Sequence, residues 1–136
     1  MLLDTSVLVD IDRGGVDEKV SRLDDAGRHS ISIVSATELF LGVELQYDPD
    51  TASYIEVTTQ VERLLARFDM LQIDRAVATA AARMTAELRE QGSRLDDLHD
   101  TYIAATAETA ELAVLTANFD HFDRIPSIQA IDWTTY

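Results

Sequence analysis

The sequence predicts an α/β fold of three layers, α/β/α, with helices on both faces of a short-stranded, mainly parallel central sheet. Apolar runs of four or five residues, the length of buried strands, alternate with longer segments whose apolar residues recur at helical spacing. Neighbouring parallel strands need a crossover between them, and a helix is the usual crossover, so the alternation favours a parallel sheet. No linker, repeat or low-complexity segment interrupts it, and residues 1–136 are therefore expected to form one domain.

Each element is predicted from its own local pattern. Short apolar runs bounded by polar residues predict strands at 1–4, 30–34, 70–73, 112–115 and 128–131. Apolar residues three or four positions apart predict helices at 7–11, 16–23, 36–47, 51–68, 74–92 and 96–107. Thr5 or Ser6 is expected to cap the first helix and Asp74 the fifth. Glycine or proline ends four of the segments: Gly14, Gly27, Pro49 and Gly92.

The charge balance is strongly acidic. The chain has 25 acidic and 11 basic side chains, a formal net charge of −14, and Lys19 is its only lysine. Phosphate binding relies on Lys and Arg, so a broad basic patch for nucleic acid is excluded and no direct binding of DNA is expected. Two explanations of the acidity stay open: a surface adapted to a salty, halophilic cytoplasm, and an ordinary acidic bacterial protein.

Cysteine is absent, which excludes disulfides and thiolate metal sites and indicates a reducing compartment. The N-terminus lacks the charged and apolar regions of a signal peptide, and no apolar run approaches the ~18 residues of a membrane span. The expected location is therefore cytoplasmic, with no membrane partner.

Acidic side chains fall where a parallel sheet forms its sites, at the carboxyl ends of strands. Asp4 ends the first predicted strand, Glu38 lies in the helix after the second, and Asp100 begins the helix at 96–107. Asn118 and Asp120 follow the strand that ends at residue 115. Carboxylates gathered in one cleft repel unless they are protonated or neutralised by a cation. Oxygen ligands without a His or Cys cluster suit Mg²⁺ or Mn²⁺.

Each of these residues also has a structural explanation. Ser35 and Glu38 match a capping box, Asp97 and Asp100 match a helix cap and a first-turn acid, and Asp120 alone is typical of a surface acid. His29 is expected to be exposed; His99 and His121 flank the acidic cleft but lack metal-ligand spacing. Trp133 and Tyr136 are expected to cover the sheet edge. Seven acids are assigned to the solvated surface: Asp10, Asp12, Asp17, Asp24, Asp25, Asp123 and Asp132.

Four segments taken together resemble the PIN domain in its VapC toxin form. They are Met-Leu-Leu-Asp4-Thr5-Ser6-Val-Leu-Val, Ser35-Ala-Thr37-Glu38-Leu, Asp100-Thr-Tyr-Ile-Ala-Ala-Thr-Ala and Leu-Thr116-Ala-Asn118-Phe-Asp120-His-Phe-Asp-Arg-Ile-Pro. Each is weak alone, but the four occur in order across the whole chain. The resemblance implies a Mg²⁺-dependent endoribonuclease, the toxin of a type II toxin–antitoxin pair, inhibited by a VapB-like antitoxin. It also implies a homodimer.

The resemblance assigns the acidic site to Asp4, Glu38 and Asp100. Many relatives have Asp where this chain has Asn118, so Asp120 is the candidate for the missing carboxylate. The expected mechanism has one or two Mg²⁺ ions, or Mn²⁺, held by Asp4 and Asp100, with Glu38 and Asp120 acting directly or through water. The ions activate a water that attacks the RNA phosphodiester.

Further residues are expected to support this chemistry. The hydroxyls of Thr5, Ser6 and Thr116 are placed to orient a carboxylate or a phosphate, and Asn118 has an oxygen to offer a metal. Six arginines stand against four acids in residues 63–94, which makes that stretch the best candidate for guiding RNA. The helical hairpin formed by 36–47 and 51–68 offers an apolar groove for an antitoxin helix.

Two other classes of function are weighed against the nuclease. A catalytically weak or inactive PIN module that binds RNA or protein is favoured by Asn118 and by the acidic surface, and disfavoured by three intact acids. A phosphoacceptor domain is excluded on inspection. A receiver needs a late lysine, which this chain lacks, and the phosphatase pattern needs an acid at the position of Ser6.

Overall fold

The computed structural model describes residues 1–92 and 97–136 as helices on both sides of a five-stranded sheet. The strands are β1 Leu2–Leu3, β2 Ser30–Ser32, β3 Asp69–Leu71, β4 Val114–Thr116 and β5 Ala130–Asp132. The α-helices are α1 Thr5–Arg13, α2 Asp17–Asp25, α3 Ile33–Gln46, α4 Ala52–Leu65, α5 Arg75–Glu90, α6 Leu98–Thr109 and α7 Phe119–Asp123. A 3₁₀ turn, Trp133–Thr135, follows β5. None of the described helices is long and apolar enough to cross a membrane.

The sheet has the order β3-β2-β1-β4-β5, and every neighbouring pair is parallel. Successive side chains of β1 point to opposite faces, so Leu2 packs in one core and Leu3 in the other. The first core lies under α5 and α6 and includes Met84 and Ile103, whereas the second lies under α1 to α4 and includes Trp133. The predicted three-layer α/β fold is confirmed.

The strands are two or three residues long, shorter than predicted, because the adjoining helices begin at once. The strand predicted at 30–34 ends at Ser32, whose side chain accepts a hydrogen bond from the amide of Val34 and caps α3. Helix α3 therefore begins three residues before the predicted start at residue 36. The capping box predicted at Ser35 and Glu38 is wrong, since both residues lie inside the helix.

Three further predictions are corrected. Helix α1 is capped by Asp4 and not by Thr5 or Ser6, because the Asp4 carboxylate accepts from the amide of Thr5. His29 was expected to be exposed but is buried, with Nε2 2.8 Å from the carbonyl oxygen of Leu23. Asp10 was assigned to the solvated surface, yet it accepts a hydrogen bond of 3.1 Å from the buried indole of Trp133.

Helix α7 and the 3₁₀ turn were not predicted, and the remaining elements lie near their predicted positions. Asp74 caps α5 by accepting from the amide of Val77, and Asp97 caps α6 by accepting from the amide of His99. Residues 93–96 lie outside the described part of the chain, and with them Asp96, the predicted start of α6, and Arg94, one of the arginines proposed to guide RNA.

Candidate active site

The candidate site lies at the carboxyl end of β1, the central strand of the sheet. Asp4 follows β1 directly, and its amide donates to the carbonyl oxygen of Leu115 on β4. The carboxyl end of β4 carries Thr116, and α3, which leaves β2 on the other side, carries Glu38. The parallel order of the sheet thus brings segments more than one hundred residues apart in sequence to one edge, as the sequence predicts.

Asp4 is 3% exposed, and its carboxylate is held by donors of the surrounding backbone and hydroxyls. Oδ1 accepts from the amide of Thr5 at 2.8 Å. Oδ2 accepts from the hydroxyls of Ser6 at 2.7 Å and Thr116 at 2.8 Å. A buried carboxylate is tolerated when its oxygens are hydrogen-bonded, so these three donors let a charge lie at the end of the central strand.

The two hydroxyls that hold Asp4 are themselves oriented by backbone amides. Ser6 Oγ accepts from the amide of Ala117 at 3.0 Å, and Thr116 Oγ1 accepts from the amide of Asn118 at 2.9 Å. Because each hydroxyl already accepts from an amide, its single proton is directed at Asp4. Ser6 and Thr116 orient a carboxylate in this structure, which is one of the two roles considered for them.

Glu38 is held by a chain of two hydroxyls. The hydroxyl oxygen of Thr5 lies 2.9 Å from Glu38 Oε1 and 2.9 Å from the hydroxyl oxygen of Ser35, a residue that is fully buried. An ionised carboxylate only accepts, so Thr5 donates its one proton to Glu38 and accepts from Ser35. The hydrogen bonds therefore run from Ser35 through Thr5 to Glu38, and Ser35 has a place in the site that the sequence pattern concealed.

The surroundings of Glu38 disfavour its charge. The side chain is 28% exposed. Loss of solvent raises the pKa of Glu38, and the neighbouring charges of Asp4 and Asp97 raise this pKa further, whereas the hydrogen bond from Thr5 and the nearby His99 lower it. Desolvation is the largest of these effects, so the pKa of Glu38 lies above its ordinary value.

Asp100 stands in the first turn of α6, and its side chain is 15% exposed. Desolvation is the largest cause of its raised pKa, and the charges of Asp4 and Asp97 add to it. His121 of α7 opposes the shift, with Nδ1 3.2 Å from Asp100 Oδ2. Since Asp4 acts on the pKa values of both Glu38 and Asp100, the three predicted acids form one electrostatic group.

A second small cluster adjoins these acids. One ligand atom each from Glu38, Asp97 and His99 lie within 4.8 Å of one another. His99 Nδ1 is 3.8 Å from Glu38 Oε2 and 3.8 Å from Asp97 Oδ1. Neither Asp97 nor His99 was assigned to the metal by sequence, because residues 38 and 97 meet only when α3 and α6 pack.

Asn118 and Asp120 lie further out. Both are exposed, and with His121, Asp132 and Thr134 they line a shallow depression near the ends of β4 and β5. Within residues 1–92 and 97–136, the Asp120 carboxylate has no hydrogen bond or ion pair. The backbone amide of Asn118 donates to Thr116, whereas its side chain makes no hydrogen bond to the described residues.

No lysine or arginine side chain of the described residues pairs with Asp4, Glu38 or Asp100. Among the same residues, the basic side chains beside these acids are the imidazoles of His99 and His121. Carboxylates that share a site without a fixed cation favour either protonation or a bound metal ion. Their oxygens are the ligands that Mg²⁺ and Mn²⁺ prefer, so the residues present fit a divalent cation.

A profile of the PIN domain matches residues 1–128. The chain belongs to the PIN domain family. Its similarity to a curated PIN relative, "Ribonuclease VapC1" of Methanocaldococcus jannaschii, is 28% identity over 107 residues, which cover 79% of this chain and 67% of that protein.

Solved structures give the same fold. A chain of the DNA-bound VapBC complex from Salmonella typhimurium is 27% identical, with a TM-score of 0.81, over 97% of this chain and 96% of that one. A chain of FitAcB from Neisseria gonorrhoeae is 26% identical, with a TM-score of 0.80, over 96% of each chain. A chain of VapBC-1 from nontypeable Haemophilus influenzae is 22% identical with a TM-score of 0.85, covering 98% and 97%, and shows the PIN fold alone.

Proposed function

We propose that this PIN domain is a metal-dependent endoribonuclease, the toxin of a type II toxin–antitoxin pair of the VapC kind. The convergence of Asp4, Glu38 and Asp100 at the end of the central strand, without a paired lysine or arginine among the described residues, carries the proposal. The name of the curated relative supports RNA as the substrate. Three carboxylates that share one site favour hydrolysis through a bound cation.

The proposed metal ligands are Asp4 and Asp100, with Glu38 and Asp120 acting directly or through water. Mg²⁺ is the expected ion, and Mn²⁺ is the alternative. When bound, such an ion lowers the pKa of its water and stabilises charge on a phosphate. The raised pKa values of Glu38 and Asp100 support this assignment, because a cation offsets the repulsion that helps to raise them.

The hydroxyls hold the acids for this chemistry. Ser6 and Thr116 fix the position of the Asp4 carboxylate, and Thr5 directs one oxygen of Glu38. Metal sites depend on such partners. A ligand side chain that rotates freely has to be ordered when the ion binds, and this cost lowers the affinity for the ion. Asn118 contributes through its backbone, which orients Thr116, and its side chain is free to contact substrate.

RNA has to approach an acidic protein, so exposed arginines are the proposed guides. Within the predicted stretch 63–94, Arg67 pairs with Asp24, and Arg83 pairs with Glu87 and Glu108. Among the described residues of the stretch, three arginines are exposed without an ion pair: Arg63, Arg75 and Arg89. These three are the better candidates for phosphate contacts, since the paired ones already have an anion.

An antitoxin partner is proposed for the hairpin of α3 and α4. Leu41, Leu45 and Ile55 are exposed there by 48%, 77% and 65%. Such side chains suit the apolar face of a partner helix. The Salmonella relative is a VapBC structure, which supports a protein partner. A homodimer is proposed as well, from the resemblance to VapC.

The proposal is tested with purified protein, structured RNA and Mg²⁺ or Mn²⁺. The expected result is endonucleolytic cleavage that EDTA stops and that Asp4→Asn or Asp100→Asn removes. Arg67→Gln serves as a control that alters a basic residue outside the site. An upstream reading frame for a small DNA-binding protein, whose product stops the cleavage, is the expected genetic context.

The second candidate function is a PIN module that binds RNA or protein without cutting. Asn118, in place of an acid, favours it. Binding of RNA that does not depend on metal, with no cleavage at any Mg²⁺ or Mn²⁺ concentration, would establish this second function and remove the first.

A further inference from the structure

His99 faces two carboxylates that come from different helices. Its Nδ1 is 3.8 Å from Glu38 Oε2 on α3 and 3.8 Å from Asp97 Oδ1 at the cap of α6. The ring is 44% exposed, so solvent and small ions reach it. The three side chains can each direct one ligand atom into a space less than 4.8 Å across.

The distances suit a shared ion better than direct hydrogen bonds. A hydrogen bond between nitrogen and oxygen closes at roughly 2.7–3.2 Å, and 3.8 Å is beyond it. Two ligand atoms that each lie about 2.1 Å from one ion are separated by up to about 4.2 Å. His121 provides the contrast within the same site, because its Nδ1 is 3.2 Å from Asp100 Oδ2, close enough for a hydrogen bond.

The two oxygens of Glu38 have separate partners. Oε1 accepts from Thr5, and Oε2 is the oxygen that faces His99. Asp97 is fixed as the cap of α6, where it accepts from the amide of His99 at 2.8 Å. Both carboxylates are thus oriented by the fold, and the imidazole needs only the tautomer with its proton on Nε2 to present a lone pair between them.

We propose that His99 Nδ1 is a metal ligand that acts together with Glu38 and Asp97, and that this set selects a first-row transition ion over Mg²⁺. The inference rests on the proposed metal-dependent function and specifies the class of ion. Mg²⁺ takes oxygen ligands and gives up its water reluctantly. An imidazole nitrogen instead adds affinity for first-row transition ions, and Mn²⁺ gains the least among them.

Electron spin echo spectroscopy of Mn²⁺ bound to the full chain tests the ligand directly. The wild-type protein should show the modulation of a coordinated ¹⁴N nucleus, and His99→Gln should lose it. His121→Gln is the matched control, since it removes the other imidazole beside the acids and should keep the signal. Asp97→Ser keeps a good N-cap but removes a ligand, and it should weaken Mn²⁺ binding without unfolding α6.

Affinities provide the second readout. His99→Gln should raise the Kd for Mn²⁺ at least ~10-fold, the effect of losing one contact of a metal site, while the Kd for Mg²⁺ changes less than about 2-fold. A wild-type spectrum without ¹⁴N modulation overturns the inference. An equal loss of affinity for Mn²⁺ and Mg²⁺ in His99→Gln overturns it as well. RNA cleavage with Mg²⁺ but no ¹⁴N signal supports the proposed nuclease and contradicts the role of His99. A ¹⁴N signal without RNA cleavage supports the role of His99 and contradicts the proposed nuclease.

Discussion

The acidic site has two parts that differ in how they hold a charge. Asp4, with Ser6 and Thr116, forms a buried floor, where three donors converge on one carboxylate. The other part is a more exposed rim formed by Glu38, Asp97, His99, Asp100 and His121. There, desolvation and mutual repulsion raise the pKa values of Glu38 and Asp100. The floor supplies its own hydrogen-bond donors, whereas the rim lacks a fixed Lys or Arg partner among the described residues. The difference indicates that a bound cation matters most at the rim.

The floor is tested by Asp4→Asn, which should have the largest effect. Loss of a ligand that supplies several kcal/mol should lower kcat/KM for RNA cleavage by roughly 100-fold or more. One carboxylate oxygen also becomes an NH₂ group, which only donates, so either the Thr5 amide or the hydroxyls of Ser6 and Thr116 lose their acceptor. The free energy of unfolding should therefore fall by about 1–3 kcal/mol. Urea denaturation measures the second effect, and an inactive variant of unchanged stability would contradict the floor's part in the fold.

The rim is tested by Asp100→Asn. This variant should lower kcat/KM about as much as Asp4→Asn does, without lowering the free energy of unfolding. The substitution removes a charge that the charges of Asp4 and Asp97 oppose, and an amide can still hydrogen-bond to His121. At neutral pH the metal-free variant should therefore unfold at the same or higher urea concentration than wild type. Destabilisation as large as that of Asp4→Asn would show that the rim is as integral to the fold as the floor.

The pH dependence of stability tests the two acids of the rim whose pKa values are raised. Glu38 and Asp100 have raised pKa values, so between their ordinary values of 4.5 and 3.8 and the raised ones the folded protein binds more protons than the unfolded chain. Their contribution to the free energy of unfolding is thus present at acid pH and is lost as pH rises through the folded pKa values. Tm of the metal-free protein should fall over this window, and Mn²⁺ should raise Tm more at pH 7 than at pH 4.

A double variant, Glu38→Gln with Asp100→Asn, is the control for this pH effect. It should reduce both the fall in Tm with rising pH and the increase in Tm that Mn²⁺ produces at pH 7. Removing one exposed charge elsewhere, as in Glu62→Gln, should change neither by a comparable amount. A wild-type Tm that rises steadily with pH would contradict the sign.

The grouping of the three acids could be predicted from the sequence because it follows from the topology. Acids at or just beyond the carboxyl ends of parallel strands lie at one edge of the sheet, so Asp4, Glu38 and Asp100 could be placed together from the order of the elements. The strand order and the lengths of β1 to β5 do not follow from the same pattern. The strand order is a property of the packed chain, and the strands are short because the adjoining helices begin at once.

Other contacts were hidden because they join distant residues or follow an ambiguous pattern. Ser35 and Glu38 satisfy a capping box in sequence, but Ser32 caps the helix and leaves the Ser35 hydroxyl to Thr5. Asp10 meets Trp133 across 123 positions, and no local spacing signals such a pair. The rim shows the same limit, since His99 reaches Glu38 only through the packing of α3 against α6.

Ser35→Ala tests the hydroxyl chain that connects the fold to Glu38. The buried Thr5 oxygen loses its donor, and kcat should fall roughly 10-fold, as for other contacts that orient a metal ligand. Thr5→Val removes the link itself. If Ser35 acts through Thr5, adding Ser35→Ala to Thr5→Val should lower kcat no further, whereas independent packing effects would multiply. Thr5→Ser, which keeps the hydroxyl, should retain most activity.

Asp120→Asn should have the smallest effect of the series. Sequence reasoning makes Asp120 the candidate for the carboxylate that Asn118 lacks, but the side chain is exposed and is not bonded to the described residues. At such a position a carboxylate acts on the metal through water, and the loss of one solvated charge should lower kcat/KM by about 2-fold. The loss should also shrink with added salt, because the charge is screened. A fall as large as that of Asp100→Asn, independent of salt, would show that Asp120 binds the metal directly and belongs to the rim.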